Sequence, residues 1–509
     1  MRTAPLVPAA FVRRLGVDVG GALNLVGSLI KYLSPAFLFP TAIAIGYGEP
    51  VWPFLVAGAV TAGAGIGLEA ATDGKERIGP REGYLVVSLL WLLVAVFGAL
   101  PYLLAVPQLA RPADALFESM SGFSTTGASA LTDIPAVSQS MIMWRQFTAW
   151  IGGVGIIVMF LAVLPRLRVG GRQALFKAET PASELPLADT IRESARRFVL
   201  LYVGITGVGI LVFTLLGVTG LDDRMTLFTA TAHMFATIAT AGFSTEARSI
   251  EPFAPVTQWI FVVFMLVAGT NFALLYLGIV RRRPRVLVRD EELRVLVGVL
   301  GLACLIVVVE LLTSETHAGG AAVRHGVFNV VSMMTTTGFA SSDFNLWTPA
   351  ALLVLFGLTL IGASAGSTSG SIKLIRHIVI AKMLRQEIDH TLHPEVIAPL
   401  RLNRVVVDER ALRAIIVFVF LYLGVCVSGA VTVLVDSSLQ DVRLSAFQSL
   451  AISASLLGGA GPGLGFSGPM GSFSGFSDVS TFVLTALMYL GRLEIVPVFV
   501  LFTASHWRA

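Results

Sequence analysis

Charge is scarce in this chain. Asp, Glu, Lys and Arg make up 13% of its 509 residues, while hydrophobic residues make up 55%. Typical soluble domains carry roughly 25% charged residues, so this composition excludes a soluble globule of the same length. Cysteine is almost absent: Cys304 and Cys426 are the two, each inside an apolar run. Neither has the spacing of a disulfide framework or a thiolate metal site, and both read as small buried hydrophobes. They leave the redox compartment open. No dinucleotide fingerprint falls in a strand–helix setting, so no nucleotide site or organic cofactor is expected on this chain. The positive charge is spread over many loops, which argues against a nucleic-acid partner.

What the sequence has instead is long apolar runs. Ten are recognisable, at about 23–46, 51–71, 84–106, 141–164, 198–219, 257–280, 293–313, 349–380, 411–435 and 478–503. Each is near the roughly 20 residues that a bilayer span requires. Arg13 and Arg14 precede the first run, which holds Lys31 and Pro35, and no small-residue cleavage site follows a short apolar core. That run is expected to be retained rather than removed as a signal peptide. Of 36 Lys and Arg, 24 fall in alternate connections (1–22, 72–83, 165–197, 281–292, 381–410 and the C-terminal tail), and five fall in the others. This asymmetry predicts that the first set, with both termini, is cytoplasmic, with anionic lipid headgroups as secondary partners of the basic loops.

Four of the outer connections share a plan: a short, part-apolar segment, then a polar tract centred on glycine. The tracts are Ser124-Thr125-Thr126-Gly127-Ala128-Ser129, Thr240-Ala241-Gly242-Phe243-Ser244-Thr245, Thr335-Thr336-Thr337-Gly338-Phe339-Ala340 and Gly458-Gly459-Ala460-Gly461-Pro462-Gly463. Their central glycines are 115, 96 and 123 residues apart. The preceding segments, such as Ala113–Ser121, Met225–Thr237 and Ala322–Met334, are too short and polar to span and fit half-membrane pore helices. Non-helical backbone survives at membrane depth only when buried in protein or lining water, and four such strands around one axis do both. Backbone carbonyls with threonine or serine hydroxyls replace the water shell of a monovalent cation, and glycine permits the backbone angles that turn them inward. No tract contains Asp or Glu. Glu118, Glu246 and Asp343 flank the tracts and read either as mouth charges or as solvated loop charges.

With the four tracts stand Trp150-Ile151-Gly152-Gly153-Val154-Gly155-Ile156, Lys177-Ala178-Glu179-Thr180-Pro181, Gly366-Ser367-Thr368-Ser369-Gly370-Ser371-Ile372-Lys373, Gly461-Pro462-Gly463-Leu464-Gly465 and Gly491-Arg492-Leu493-Glu494. In combination they resemble the Trk/Ktr/HKT superfamily of potassium transporters, most of all its bacterial Trk-type membrane subunit, over nearly the whole chain. The resemblance implies an all-α polytopic protein of the bacterial inner membrane, with four helix–pore-loop–helix repeats in pseudo-fourfold arrangement after two extra N-terminal spans. The corresponding units are 1–72, 73–165, 166–280, 281–380 and 381–509. The potassium-binding filter maps onto Thr125, Thr126, Gly127, Thr240, Ala241, Gly242, Thr336, Thr337, Gly338, Gly459, Ala460 and Gly461. Glycine at 127, where serine accompanies sodium preference in the family, favours potassium. The family pattern places an asparagine two residues before the fourth glycine, where this chain has Gly459. A homodimer with a separate cytosolic nucleotide-binding regulator is also implied, the loops 165–197 and 381–410 being its candidate docking surfaces.

The eighth run is interrupted by Gly362-Ala363-Ser364-Ala365-Gly366-Ser367-Thr368-Ser369-Gly370-Ser371. Such a stretch makes a weak helix centre. It reads as an intramembrane gate loop beneath the filter, a use the resemblance implies; tight helix packing through small residues is the alternative. Arg492 lies near the centre of the last run and needs an aqueous cavity or a partner. The resemblance implies an electrostatic barrier below the filter, with a structural ion pair as the alternative. Lys373, at the end of the gate loop, belongs with it. Asn271 bonds the gate loop, lines the cavity or joins helices; His233 and His325 read as structural.

The function expected is potassium uptake through a gated filter, without enzymatic activity. A symporter coupling potassium to protons or sodium needs a membrane carboxylate, for which Glu494 and Glu310 are the candidates. A serine hydrolase in the Gly/Ser-rich loop would have only His377 as a nearby base and would leave the four tracts unexplained.

Overall fold

The computed structural model describes residues 16–72, 79–159, 191–395, 399–403 and 405–508. Arg13, Arg14, the Lys177–Pro181 motif and most of the 165–197 docking loop lie outside them.

Helices α1 (Val19–Leu33), α2 (Leu38–Tyr47) and α3 (Trp52–Ala70) form the N-terminal unit. Then come α4 (Pro80–Gly98), α5 (Leu100–Ala105), α6 (Pro112–Phe123) and α7 (Gln139–Val158); then α8 (Ile191–Val218), α9 (Leu227–Ala239), α10 (Pro255–Ala268) and α11 (Phe272–Leu275). The third set is α12 (Arg285–Arg289), α13 (Glu291–Thr313), α14 (Gly319–Met334), α15 (Pro349–Ile361) and α16 (Leu374–Leu392). After a two-stranded hairpin, β1 (Arg401–Leu402) with β2 (Val405–Val406), the chain ends in α17 (Glu409–Leu439), α18 (Ala446–Gly458), α19 (Asp478–Arg492), α20 (Val496–Leu501) and α21 (Ala504–Trp507).

Among the described residues, seven helices are long and apolar enough to cross a membrane, and α10 with the helix after it makes an eighth, bent by 102°. The eighth and tenth apolar runs form broken helices, α15/α16 and α19/α20. Leu302 and Leu305 on α13 and Phe420, Val427 and Val431 on α17 face outward, as lipid-exposed side chains do.

Only one interruption was expected from the sequence, and two more occur. The sixth run turns at Gly269–Asn271, where the Asn271 side chain accepts from the backbone amides of Ala273 (2.8 Å) and Leu274 (3.4 Å) and starts a new helix. Such N-capping satisfies donors that a continuous helix would have bonded. The last run breaks after Arg492, where Glu494 and Ile495 take positive φ of 56° and 59°. The segment 381–392, read as loop, is the continuation of α16.

The short helices α6, α9, α14 and α18 are each surrounded alike. Each packs on helices of its own repeat and on the helix just after the preceding repeat's tract: α6 on α19, α9 on α7, α14 on α10, and α18 on α15. The relation closes on itself, which is pseudo-fourfold symmetry stated as contacts.

Candidate functional site: a ring of four tracts over a buried loop

The four short helices end in one way. In each, the residue two before the central glycine takes positive φ: Thr125 (56°), Thr240 (53°), Thr336 (53°) and Gly459 (68°). Their amides donate to Gly122, Thr237, Met333 and Leu456 carbonyls. The next residues, Thr126, Ala241, Thr337 and Ala460, donate to carbonyls five back, on Ser121, Ala236, Ser332 and Ser455, at 2.8–2.9 Å. This is the Schellman closure of a helix C-terminus, repeated four times. It accounts for Gly459: the position demands the left-handed region, which glycine and asparagine both enter readily. A Cβ there would meet only Thr126 Oγ1, at 3.9 Å.

The central glycines follow with φ of 81°, 66°, 79° and 100° at Gly127, Gly242, Gly338 and Gly461. A side chain on Gly127 would collide with the Ala241 carbonyl oxygen; on Gly242, with that of Thr337; on Gly338, with that of Ala460; and on Gly461, with that of Thr126. Each glycine therefore abuts the carbonyl of the residue before the next glycine, and the fourth returns to the first. Bonds outside the ring close the same circle. Arg145 donates to Ser244 O (3.0 Å), Ile250 to Ala340 O (2.9 Å), Gly465 to Asn345 Oδ1 (3.1 Å) and Phe473 to Ser129 O (2.9 Å).

The segment 362–373 lies directly against this ring. Gly370 N donates to Thr336 Oγ1 at 2.8 Å, and Gly370 has no room for a Cβ beside the Gly458 carbonyl. Thr368 Oγ1 is within bonding distance of the carbonyls of Ile238 (3.0 Å) and Ala268 (3.3 Å), at the ends of α9 and α10. Phe272 N donates to Gly366 O, Ser364 N to Gly269 O, and Ala365 N to the buried Glu292 carboxylate (2.8 Å). Gly362 and Gly366 have positive φ, and so do Ser371 (65°) and Lys373 (76°). Non-glycine residues in that region cost about 1–3 kcal/mol each and persist only where their surroundings enforce them.

One cavity touches the ring, the loop and the last break. Thr125, Thr126 and Gly459 line it above, with Ser369, Gly370, Lys373, Arg492 and Glu494 around it. Lys373 is buried and donates to the Ser369 carbonyl and hydroxyl. Arg492 is buried at the C-terminus of α19 and donates to Thr368 O (3.2 Å) and Gly152 O (2.8 Å). Among the described residues Arg492 has no carboxylate partner, so the ion-pair alternative belongs elsewhere. It falls to Arg376 and Glu494, 2.7 Å apart, with the Arg376 guanidinium 4.1 Å from the Phe418 ring centre.

Glu118 is also corrected. It is neither a mouth charge nor a solvated one: it is fully buried and paired with Arg145 at 2.5 Å. Glu246 is half-buried beside Arg224 at 3.7 Å, and Asp343 caps a short turn by accepting from Asn345 N. Sequence reading missed Glu292 and Arg376. Their one signal was ionisable side chains at the edges of apolar runs.

Fold and ring together define a polytopic membrane protein built on four pore loops. A family model described as "Cation transport protein", TrkH, matches residues 54–508. The chain belongs to this TrkH family. The Trk system potassium uptake protein TrkH of Halomonas elongata is 31% identical over 499 residues, covering 96% of this chain and 98% of that protein. The protein of the same name from Escherichia coli (strain K12) is 32% identical over 497 residues, covering 95% and 98%. The crystal structure of the potassium transporter TrkH from Vibrio parahaemolyticus matches with a TM-score of 0.86 at 28% identity, covering 97% of this chain and 100% of that one.

Proposed function

We propose that this chain carries potassium into the cell down its electrochemical gradient, with the ring of four tracts as selectivity filter and the 362–373 loop as gate. The observation that carries the reading is the cyclic contact of four glycines with four carbonyl groups, each contributed by the residue before the next glycine. Neutral oxygens around a closed ring are what a dehydrated monovalent cation needs. Potassium, rather than sodium, is supported by Gly127 and by the names of the relatives. The units 1–72, 73–165, 166–280, 281–380 and 381–509 remain the division we propose. The resemblance implies the inner membrane, and the charge asymmetry supports both termini being cytoplasmic.

Coupled symport is less well supported. Glu494 is paired with Arg376, Glu292 accepts from the gate loop, and Glu310 accepts from Thr348 Oγ1 at 3.0 Å. A carboxylate held this way has a reason to be buried that does not involve proton transfer. A homodimer with a separate nucleotide-binding subunit follows from the resemblance. What supports an inner-face contact on this chain is the α16 extension, with Leu384, Ile388 and Leu392 exposed on its surface.

The test is potassium and sodium flux into liposomes holding the purified protein, under imposed gradients. Potassium flux is expected to exceed sodium flux with no other ion cycling, and Gly127→Ser is expected to lower the permeability ratio about tenfold, a difference of ~1.4 kcal/mol. The serine must displace the Ala241 carbonyl. An unchanged ratio in a folded Gly127→Ser protein would remove the filter assignment. A second expectation concerns the gate: Thr368→Val keeps the side-chain shape but leaves two helix-end carbonyls without the hydroxyl. With a hydrogen bond worth ~1 kcal/mol net, potassium flux without a regulator should rise about fivefold. Equal flux in mutant and parent would argue for a loop that only packs.

A further inference from the structure

Nine residues before each central glycine, the short helices carry Glu118, His233, Asn329 and Ile452. In three of the four, this side chain bonds a serine just past the glycine. Ser129 Oγ donates to Glu118 Oε1 (3.0 Å); His233 Nε2 and Ser244 Oγ are 3.0 Å apart; Asn329 Nδ2 donates to Ser341 Oγ (3.2 Å). The fourth has an apolar version, in which Gly463 lies against Ile452. Each tract is thus pinned to its own pore helix behind the ring. The first pin differs in being charged. Glu118 also accepts from Ala130 N at 2.8 Å, and Arg145 holds it at 2.5 Å.

Arg145 does more than neutralise the carboxylate. Its Nη1 donates to Ser244 O at 3.0 Å, and its guanidinium lies 3.6 Å from the centre of the Phe243 ring. Ser244 is the serine that His233 reaches, and Phe243 follows the second central glycine. One buried guanidinium on α7 therefore fixes the exit of the first tract through Glu118 and the exit of the second directly. Arginine suits the task because its planar fork bonds in two directions while its face stacks on an aromatic ring; lysine offers one point charge.

We propose that Arg145 and Glu118 are specificity-determining positioning residues. They hold the first two tracts at a fixed separation, so that the ring keeps its size for potassium and does not close around the smaller sodium ion. The inference rests on the reading of the ring as a filter. Neither side chain meets the ion; both act through the backbone of 127–130 and 242–244.

The test uses the full-length protein in liposomes and reads the potassium-to-sodium permeability ratio, with thermal midpoint and monodispersity as separate readouts. Arg145→Lys retains a charge partner for Glu118 but cannot also hold Ser244 and stack on Phe243. Ser129→Ala leaves the ion pair intact and removes one pin. The expected ratios are lower than the parent's by about three- to tenfold for Arg145→Lys and about threefold for Ser129→Ala, the range one hydrogen bond commands. Gly127→Ser runs beside them. If it lowers the ratio while folded Arg145→Lys and Ser129→Ala keep the parent's, the positioning role is overturned and the pair is merely structural. If Gly127→Ser also keeps the parent's ratio, the filter reading falls and this inference falls with it. Should Arg145→Lys fail to fold, Ser129→Ala decides alone.

Discussion

Arg492→Gln is expected to raise potassium flux at least about tenfold, with little change in thermal midpoint. The argument starts from the company the side chain keeps. Arg492 is buried, its two bonds go to backbone carbonyls at Thr368 and Gly152, and its Nε has no partner among the described residues. A charge so placed is a net cost to folding, because two neutral acceptors do not replace water around a guanidinium. The cavity it lines is bounded by Thr125, Thr126 and Gly459, the floor of the ring. At separations of about 4–8 Å and an effective dielectric near 20, a fixed positive charge opposes a potassium ion by roughly 2–4 kcal/mol. Glutamine removes that repulsion and keeps an amide that can donate to the Thr368 carbonyl, so the 362–373 loop retains its tie to α19. Initial rates of potassium flux into liposomes at two potassium concentrations check it. Flux equal to the parent's would mean that Arg492 braces the loop and leaves the ion's path unopposed.

Most of the membrane architecture was legible because hydropathy alone marks a span, and the four tracts were legible because glycine and threonine recur in one topological place. The break between α15 and α16 was legible from composition, since ten consecutive small residues make a weak helix centre. The breaks at Gly269–Asn271 and Leu493–Ile495 were not. Both lie inside runs that read as continuous, where Thr270 and Asn271 in one and Arg492 and Glu494 in the other point to partners rather than to breaks; what ends the helices is a side-chain cap from Asn271 in one case and positive φ at Glu494 and Ile495 in the other. A polar residue within an apolar run marks a cap, a partner or a cavity equally well, so hydropathy does not single out the break. The role of Gly459 was hidden for a related reason. Its three counterparts are threonines, so nothing in their identity announces the left-handed conformation they share. Glu118 was misplaced because α6 is buried on nearly every side. On such a helix amphipathic periodicity cannot say which way a carboxylate points, and its partner Arg145 sits 27 residues on, in what reads as the next span.

The second large effect concerns stability. Arg376→Met is expected to destabilise the protein by about 3 kcal/mol, whereas Arg376→Met with Glu494→Gln should recover most of that loss. Arg376 stands in the first turn of α16, just past the gate loop, and Glu494 in the break just past Arg492. Both are buried, so removing the arginine leaves a carboxylate in a low-dielectric site, which typically costs about 3–5 kcal/mol. Lys373 lines the same cavity as Glu494 and offsets part of that, hence the lower end of the range. Removing both charges eliminates the uncompensated ion, and pairs replaced by neutral residues are often no less stable than the original. Thermal midpoints of the detergent-solubilised single and double variants measure this. A double variant as unstable as the single one would show that the pair's geometry, rather than its charge balance, holds α16 to the last span. The contrast with Arg492 then becomes a physical one. Two buried arginines flank the last break: Arg376 is balanced by Glu494 and ties the start of α16 to that break, whereas Arg492 lines the cavity beneath the ring with no carboxylate partner among the described residues, which is why its removal is expected to change flux rather than stability.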